Sequence, residues 1–360
     1  MDKKKVYVTL ENGKVFQGYR FGAERDAIGE LVFTTGMVGY VETLTDPSNF
    51  GQIVVQTFPL IGNYGVARAD AESENAWLSA YIVREICENP SNFRMETSLN
   101  AYMQEKDVVG VYGIDTRELT SILREQGTMN AAITDKKLTP AKLQALKKCK
   151  IENAVQAVAP NSGQTYGDEN AKYTVALWNF GAKNSSVANL IKQDCRVISL
   201  PANATAEEIL QTNADGIVLS NGPGNPKENT QAIEELKKLL GKKPIFGLGL
   251  GHQLLALATG ADTQKNKYGH RGANQPVKRT ADGRVYISAQ NHGYEVKTST
   301  IKTGEVSFIS VNDGSCEGID YAELKVMSVQ FAPECCDIGN DTNPIYEQFF
   351  AMMAKEKEHA

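Results

Sequence analysis

The stretch Phe246-Gly247-Leu248-Gly249-Leu250-Gly251-His252-Gln253 joins an apolar run, KPIFGLG, to GHQLLALATG, a helical pattern that Gly260 stops. Three readings of these alternating glycines compete. A dinucleotide fingerprint needs G-x-G-x-x-G, but His252 stands where its third glycine belongs. Such a motif also follows the first strand of its fold, whereas this one follows the fourth apolar run of its half. A plain tight strand-to-helix turn is the second reading. The third is a nucleophile elbow, in which one tip residue is held in a strained conformation with its side chain displayed.

Working outward, the second half of the chain alternates strand and helix. TVALW, CRVISL and DGIVLS are short apolar strands that precede KPIFGLG. Between them lie SSVANLIKQD, opened by capping serines, TAEEILQT, with acidic residues in its first turn, and the long ENTQAIEELKKLL. Apolar strands alternating with helices imply a mostly parallel sheet flanked by helices, with ligands at the carboxyl ends of its strands. SNGPGNP and GLGLGHQ each follow a strand, so both are expected on that edge. The first half mixes β-like runs (Lys5 to Leu10, Leu31 to Thr35, Gln52 to Thr57) with helical patterns such as TRELTSILREQ. Between the halves, APNSGQTYGDENAKY is polar and aperiodic and reads as a linker.

Bulk properties narrow the function. A length of 360 residues suggests two or three domains, and 41% hydrophobic with 22% charged residues is ordinary for a globular protein. A net charge of -5 offers no basic stripe to nucleic acid. No apolar run is long enough for a membrane span, and no signal peptide is expected, so the expected location is cytoplasmic. The six cysteines show no CxxC spacing, so neither a disulfide framework nor a metal site is expected.

FGLGLGHQLLALATG resembles the elbow of class I glutamine amidotransferases, G-[IV]-C-L-G-H-Q. LSNGPGNP (Leu219 to Pro226), YGHRGANQPV (Tyr268 to Val277), QNHGY (Gln290 to Tyr294) and NDGSCEGI (Asn312 to Ile319) narrow the resemblance to the small subunits of carbamoyl-phosphate synthases. The first half adds TTGMVGYVETLTDPSNFGQI, PLIGNYG, ENPSNFR and GIDTRELT, and the likeness covers essentially the whole chain. It implies an α/β protein: residues 1–150 a small-subunit N-terminal domain of mixed α and β, 151–172 a linker, and 173–355 a class I glutamine amidotransferase-like domain. In that family a cysteine thiolate attacks the glutamine side-chain amide and a histidine, oriented by a glutamate, moves the proton. The released ammonia passes to a large subunit, which uses ATP, Mg and bicarbonate; no cofactor is implied for this chain. Thiolate, imidazole and carboxylate suit those three tasks.

Aligned on the resemblance, the nucleophile position is Gly249. The family's V-Q-F-H-P-E reads Val329 to Glu334 here, so the base position is Ala332 while the orienting carboxylate remains as Glu334. Losing one member of such a triad costs on the order of a millionfold in turnover. Glutamine contacts carry over to Ser48, Gly222, Gly224, Leu250, Gln253, Asn291, Gly293 and Tyr294. Without the resemblance, the glycines read as tight turns, Tyr294 as a core aromatic and Ser48 as a cap. Cys335 or Cys336 is the candidate substitute nucleophile, and His292 a structural hydrogen-bonder rather than a new base. NFGAKNSS and CCDIGNDTNP depart from the family's usual wording around the site.

The expected function is therefore a synthase small subunit partnered by the large subunit, in a heterodimer that uses free ammonia for arginine or pyrimidine biosynthesis. L-glutamine remains a possible ligand. The alternatives are a non-catalytic glutamine-binding regulatory module, or an engineered inactive variant of a glutamine-hydrolysing subunit.

Overall fold

The computed structural model describes residues 4–334 and 344–359. The chain divides into two compact units, Met1–Glu152 and Asn153–Ala360.

The first unit is built on a closed barrel of seven strands. These are β1 (Lys5–Leu10), β2 (Val15–Gly22), β3 (Ala27–Thr34), β4 (Gln52–Gln56), β6 (Ala80–Ile82), β8 (Val109–Tyr112) and β9 (Met129–Thr134), with β5 (Leu60–Ile61) and β7 (Glu85–Ile86) as a separate pair. The seam is antiparallel pairing of β1 with β9, Tyr7 opposite Thr134. Helices α1 (Tyr40–Thr45), α2 (Leu99–Glu105), α3 (Thr116–Gln126) and α4 (Pro140–Leu146) accompany it. The helix expected from TRELTSILREQ is α3; Asp115 caps it by accepting from the Glu118 backbone N–H, and Leu119, Ile122 and Leu123 are buried.

The second unit opens with α5 (Ala154–Val158) and β10 (Gln164–Tyr166), both inside the stretch read as linker. β10 pairs antiparallel with β12 (Cys195–Pro201), and all three of its residues are exposed. An edge strand needs no apolar face, which is why its sequence looks like a loop. β11 (Tyr173–Asn179), β12, β13 (Gly216–Leu219), β14 (Ile245–Leu248) and β19 (Val326–Val329) are parallel, in the order β12-β11-β13-β14-β19. Antiparallel strands continue the sheet through β18 (Cys316–Tyr321), β16 (Val285–Val296), β15 (Thr263–Arg279) and β17 (Glu305–Ser310).

Helices cover both faces. Ala176 and Trp178 of β11 pack in one apolar cluster with α7 (Ala206–Gln211), α8 (Thr230–Leu239) and α9 (Leu250–Ala258). The alternating Val175 and Leu177 join the other cluster, with α6 (Asn184–Lys192) and α10 (Pro344–His359). Strands buried on both faces must be apolar throughout, which is what their sequences display. The carboxyl ends of β11, β13, β14 and β19 consequently bring four loops to one edge. No helix among the described residues is long and apolar enough to cross a membrane.

Candidate functional site

Gly249 stands between β14 and α9 with φ 52° and ψ −106°. That backbone conformation is compatible with an elbow tip: a side chain here would be strained, while glycine adopts it freely. Its N–H donates to the Val329 carbonyl at 2.9 Å, tying the tip to the neighbouring strand end. A Cβ built on Gly249 would lie 3.1 Å from the Asn221 Cβ and 3.8 Å from the Gln330 oxygen, so its side-chain direction looks into the space between these two loops. Gly222 backs against Leu250: a Cβ there would come within 2.8 Å of the Leu250 side chain and 2.6 Å of the Phe180 carbonyl. Gly224 has φ 86° and faces Ala154.

From α9, Gln253 donates through Nε2 to the Tyr294 carbonyl (2.8 Å) and to Gln330 Oε1 (2.9 Å). It thereby links the elbow helix to β16 and to the end of β19. Asn291, Gly293 and Tyr294 follow one another on β16. Beyond β19, the Ala332 N–H donates to the Ala289 carbonyl at 2.9 Å, so this segment lies along β16 as well.

Residues 8–133 match the family profile described as "Carbamoyl-phosphate synthase small chain, CPSase domain", and residues 176–352 match "Glutamine amidotransferase class-I". A carbamoyl phosphate synthase small chain of Clostridium perfringens is 46% identical over 350 residues, covering 96% of this chain and 98% of that protein. Those of Bacillus anthracis (45% over 357 residues, 98% and 97% covered) and Listeria innocua (44% over 365 residues, 98% of each) are similarly close. The chain belongs to the family of carbamoyl-phosphate synthase small chains.

Seen as a member of that family, the chain has its elbow, the Asn221–Gly224 loop, Gln253 and the Asn291–Tyr294 run in one place. Ser48 lies in the first unit, in a short 3₁₀ turn (Pro47–Asn49) that Asp46 caps by accepting from the Ser48 N–H. Cys335 and Cys336 lie outside the described residues. Of the other thiols, Cys195 and Cys316 are buried and pushed up to about 12, chiefly by that burial. Neither resembles an activated nucleophile.

Three residues that the sequence did not single out stand beside Glu334. Lys183 Nζ is 3.5 Å from its carboxylate, with the two side chains 8% and 2% exposed. Ser186, on α6, donates to the same oxygen at 2.5 Å, and the Tyr346 hydroxyl donates to the other at 3.3 Å. Lys183 and Ser186 sit inside the quoted NFGAKNSS, but only the fold carries the end of β11 to the end of β19.

Three histidines of the motifs are engaged by other side chains or carbonyls. His252 is buried with Nδ1 2.9 Å from Ser328 Oγ, and burial lowers it to about 3. His292 holds the Tyr294 carbonyl through Nδ1 (2.9 Å), and its Nε2 is 3.0 Å from Gln290 Oε1. Burial pushes His292 well below the usual histidine range. His270 Nε2 meets Asp313 at 2.8 Å and its Nδ1 lies 3.2 Å from Glu317. Burial opposes charge on His270, but hydrogen bonds to Asp313 and Glu317 outweigh it and raise it to about 10. Burial likewise raises Glu317, whose Oε2 accepts from Gln290.

Proposed function

We propose that this chain is the small subunit of a carbamoyl-phosphate synthase that no longer hydrolyses glutamine, so that the complex with its large subunit forms carbamoyl phosphate from ammonia. The observation that carries this reading is Gly249 at the tip of the elbow. The position from which a thiolate would attack has the required backbone and no side chain. At the base position Ala332 offers a methyl, which accepts no proton, and Glu334 has Lys183 and Ser186 as partners instead of an imidazole.

The chain's remaining tasks are binding and assembly. Ser48, Gly222, Gly224, Leu250, Gln253, Asn291, Gly293 and Tyr294 retain residue types suited to holding glutamine, and N–H groups at the start of α9 have no partner within the helix. Glutamine bound there would be held without being cleaved. ATP, Mg and bicarbonate chemistry belongs to the large subunit, and the product serves arginine or pyrimidine synthesis in the cytoplasm.

The test is reconstitution with a carbamoyl-phosphate synthase large subunit. Carbamoyl phosphate should form with ammonium, ATP and bicarbonate, and only at background rate when glutamine replaces ammonium. Glutamine supporting a rate comparable to ammonium would overturn the proposal.

A further inference from the structure

Next to the Tyr294 carbonyl, three antiparallel strands bring together side chains outside the candidate glutamine contacts. His270 comes from β15, His292 and Gln290 from β16, and Glu317 from β18. One ligand-type atom from each of His270, His292 and Glu317 lies within 4.8 Å of the others, and all three residues are buried. His270 Nδ1 is 3.2 Å and His292 Nε2 4.0 Å from the same Glu317 oxygen, Oε1. The far ring nitrogens are engaged. His270 Nε2 meets the Asp313 carboxylate at 2.8 Å, and His292 Nδ1 meets the Tyr294 carbonyl at 2.9 Å. Glu317 Oε2 is occupied by the Gln290 amide N–H at 3.0 Å.

These outer contacts decide what faces inward. A neutral His292 that donates from Nδ1 to Tyr294 presents a lone pair from Nε2. That lone pair points toward Gln290 Oε1 (3.0 Å) and Glu317 Oε1, which are acceptors themselves; Glu317 Oε1 also accepts from the Ser315 hydroxyl at 3.2 Å. His270 Nδ1 is buried without a well-aligned hydrogen bond, although Glu317 is near. Acceptors converging on one buried point are costly unless a proton on His270 or a metal cation lies between them. Imidazoles whose other nitrogen is held by a carboxylate or a backbone carbonyl are the usual outer shell of a protein metal site.

We propose that His270 Nδ1, His292 Nε2 and Glu317 Oε1 bind a divalent transition-metal ion of the zinc class, with Gln290 Oε1 as fourth ligand. Two imidazoles and a carboxylate suit zinc, whose bonds of about 2.0–2.2 Å require the three groups to close in by only a few tenths of an ångström to about one. Asp313, 38% exposed, marks the side from which the ion enters. Since His292 also fixes Tyr294, the ion would brace that part of β16. The absence of CxxC spacing said nothing about this site, because its ligands come from separate strands.

The chain's four histidines make the test clean: His252 is tied to Ser328, and the remaining one, His359, is at the end of α10. The full chain, stripped with a chelator, would be titrated with Co²⁺ followed by optical absorption, and with Zn²⁺ followed by calorimetry and thermal melting. One ion per chain, tetrahedral cobalt bands and a raised melting midpoint with zinc are expected. Glu317→Gln should abolish binding. Asp313→Asn, at a half-exposed position where folding is safe, should weaken it about 10–100-fold. A folded chain that takes up no cobalt or zinc would overturn the proposal, as would binding unchanged in Asp313→Asn and in a folded His270→Asn.

Discussion

The two ends of the candidate pocket are held in place in different ways. At the elbow, the backbone of Gly249 keeps φ 52° and ψ −106° although no side chain requires them. The junction of β14 and α9 imposes that conformation, through the Gly249 N–H to Val329 and the packing of Gly251 against Leu219. Past β19 a side chain is held instead, and Glu334 is paired with Lys183 and Ser186. At the elbow, sheet and helix set the backbone geometry without help from a side chain. A buried charge needs its partners, because leaving it unpaired costs several kcal/mol.

The sharpest way to break this comparison is to refill both ends. Gly249→Cys with Ala332→His should raise glutamine hydrolysis by roughly a thousandfold or more over the present chain, and neither change alone should do so. Ammonia release in the presence of the large subunit measures it. Activity from Gly249→Cys alone would show that another base already serves the site.

Next in size is the side-chain end. Glu334→Ala leaves Lys183 buried without its carboxylate and should cost about 3–5 kcal/mol in urea unfolding. A loss below about 1 kcal/mol would mean that Lys183 simply turns to solvent. At the backbone end, Gly249→Ala should destabilise by about 1–3 kcal/mol, because alanine must adopt a positive φ and its Cβ presses on Asn221 at 3.1 Å. A neutral result would indicate that the tip relaxes when nothing needs displaying. The smallest effect concerns substitute nucleophiles. With both thiols pushed up to about 12, Cys195 and Cys316 should stay unalkylated by iodoacetamide at pH 8 in the folded chain and react fully in denaturant, as read by mass spectrometry. Ready modification of either would reopen the possibility of a replacement thiol.

Much of this was legible in the residues. The alternation of apolar strands and helices after Tyr173 announced the parallel part of the sheet, because strands covered on both faces carry apolar residues without interruption. The glycine-rich strand-to-helix joint left three readings open, and the resemblance to the family's motif chose the elbow among them. Closure of the first unit was not legible, because β1 and β9 are far apart in sequence and no local pattern records their pairing. β10 escaped notice for want of a buried face. Lys183 and Ser186 became visible only once the fold set β11 beside β13 and β14 beside β19. Likewise, nothing local announces that His270, His292 and Glu317 meet, since three antiparallel strands supply them.

The seam of the first unit carries a further consequence. Its first strand finds its second neighbour only when Met129–Thr134 has been made, so during synthesis β1 and β3 each wait with one open flank. A nascent or truncated chain ending short of that point offers those two flanks to any passing strand, including another copy of itself. Trimming the protein at its amino end, or stopping it near residue 125, should therefore give aggregates rather than a smaller soluble piece.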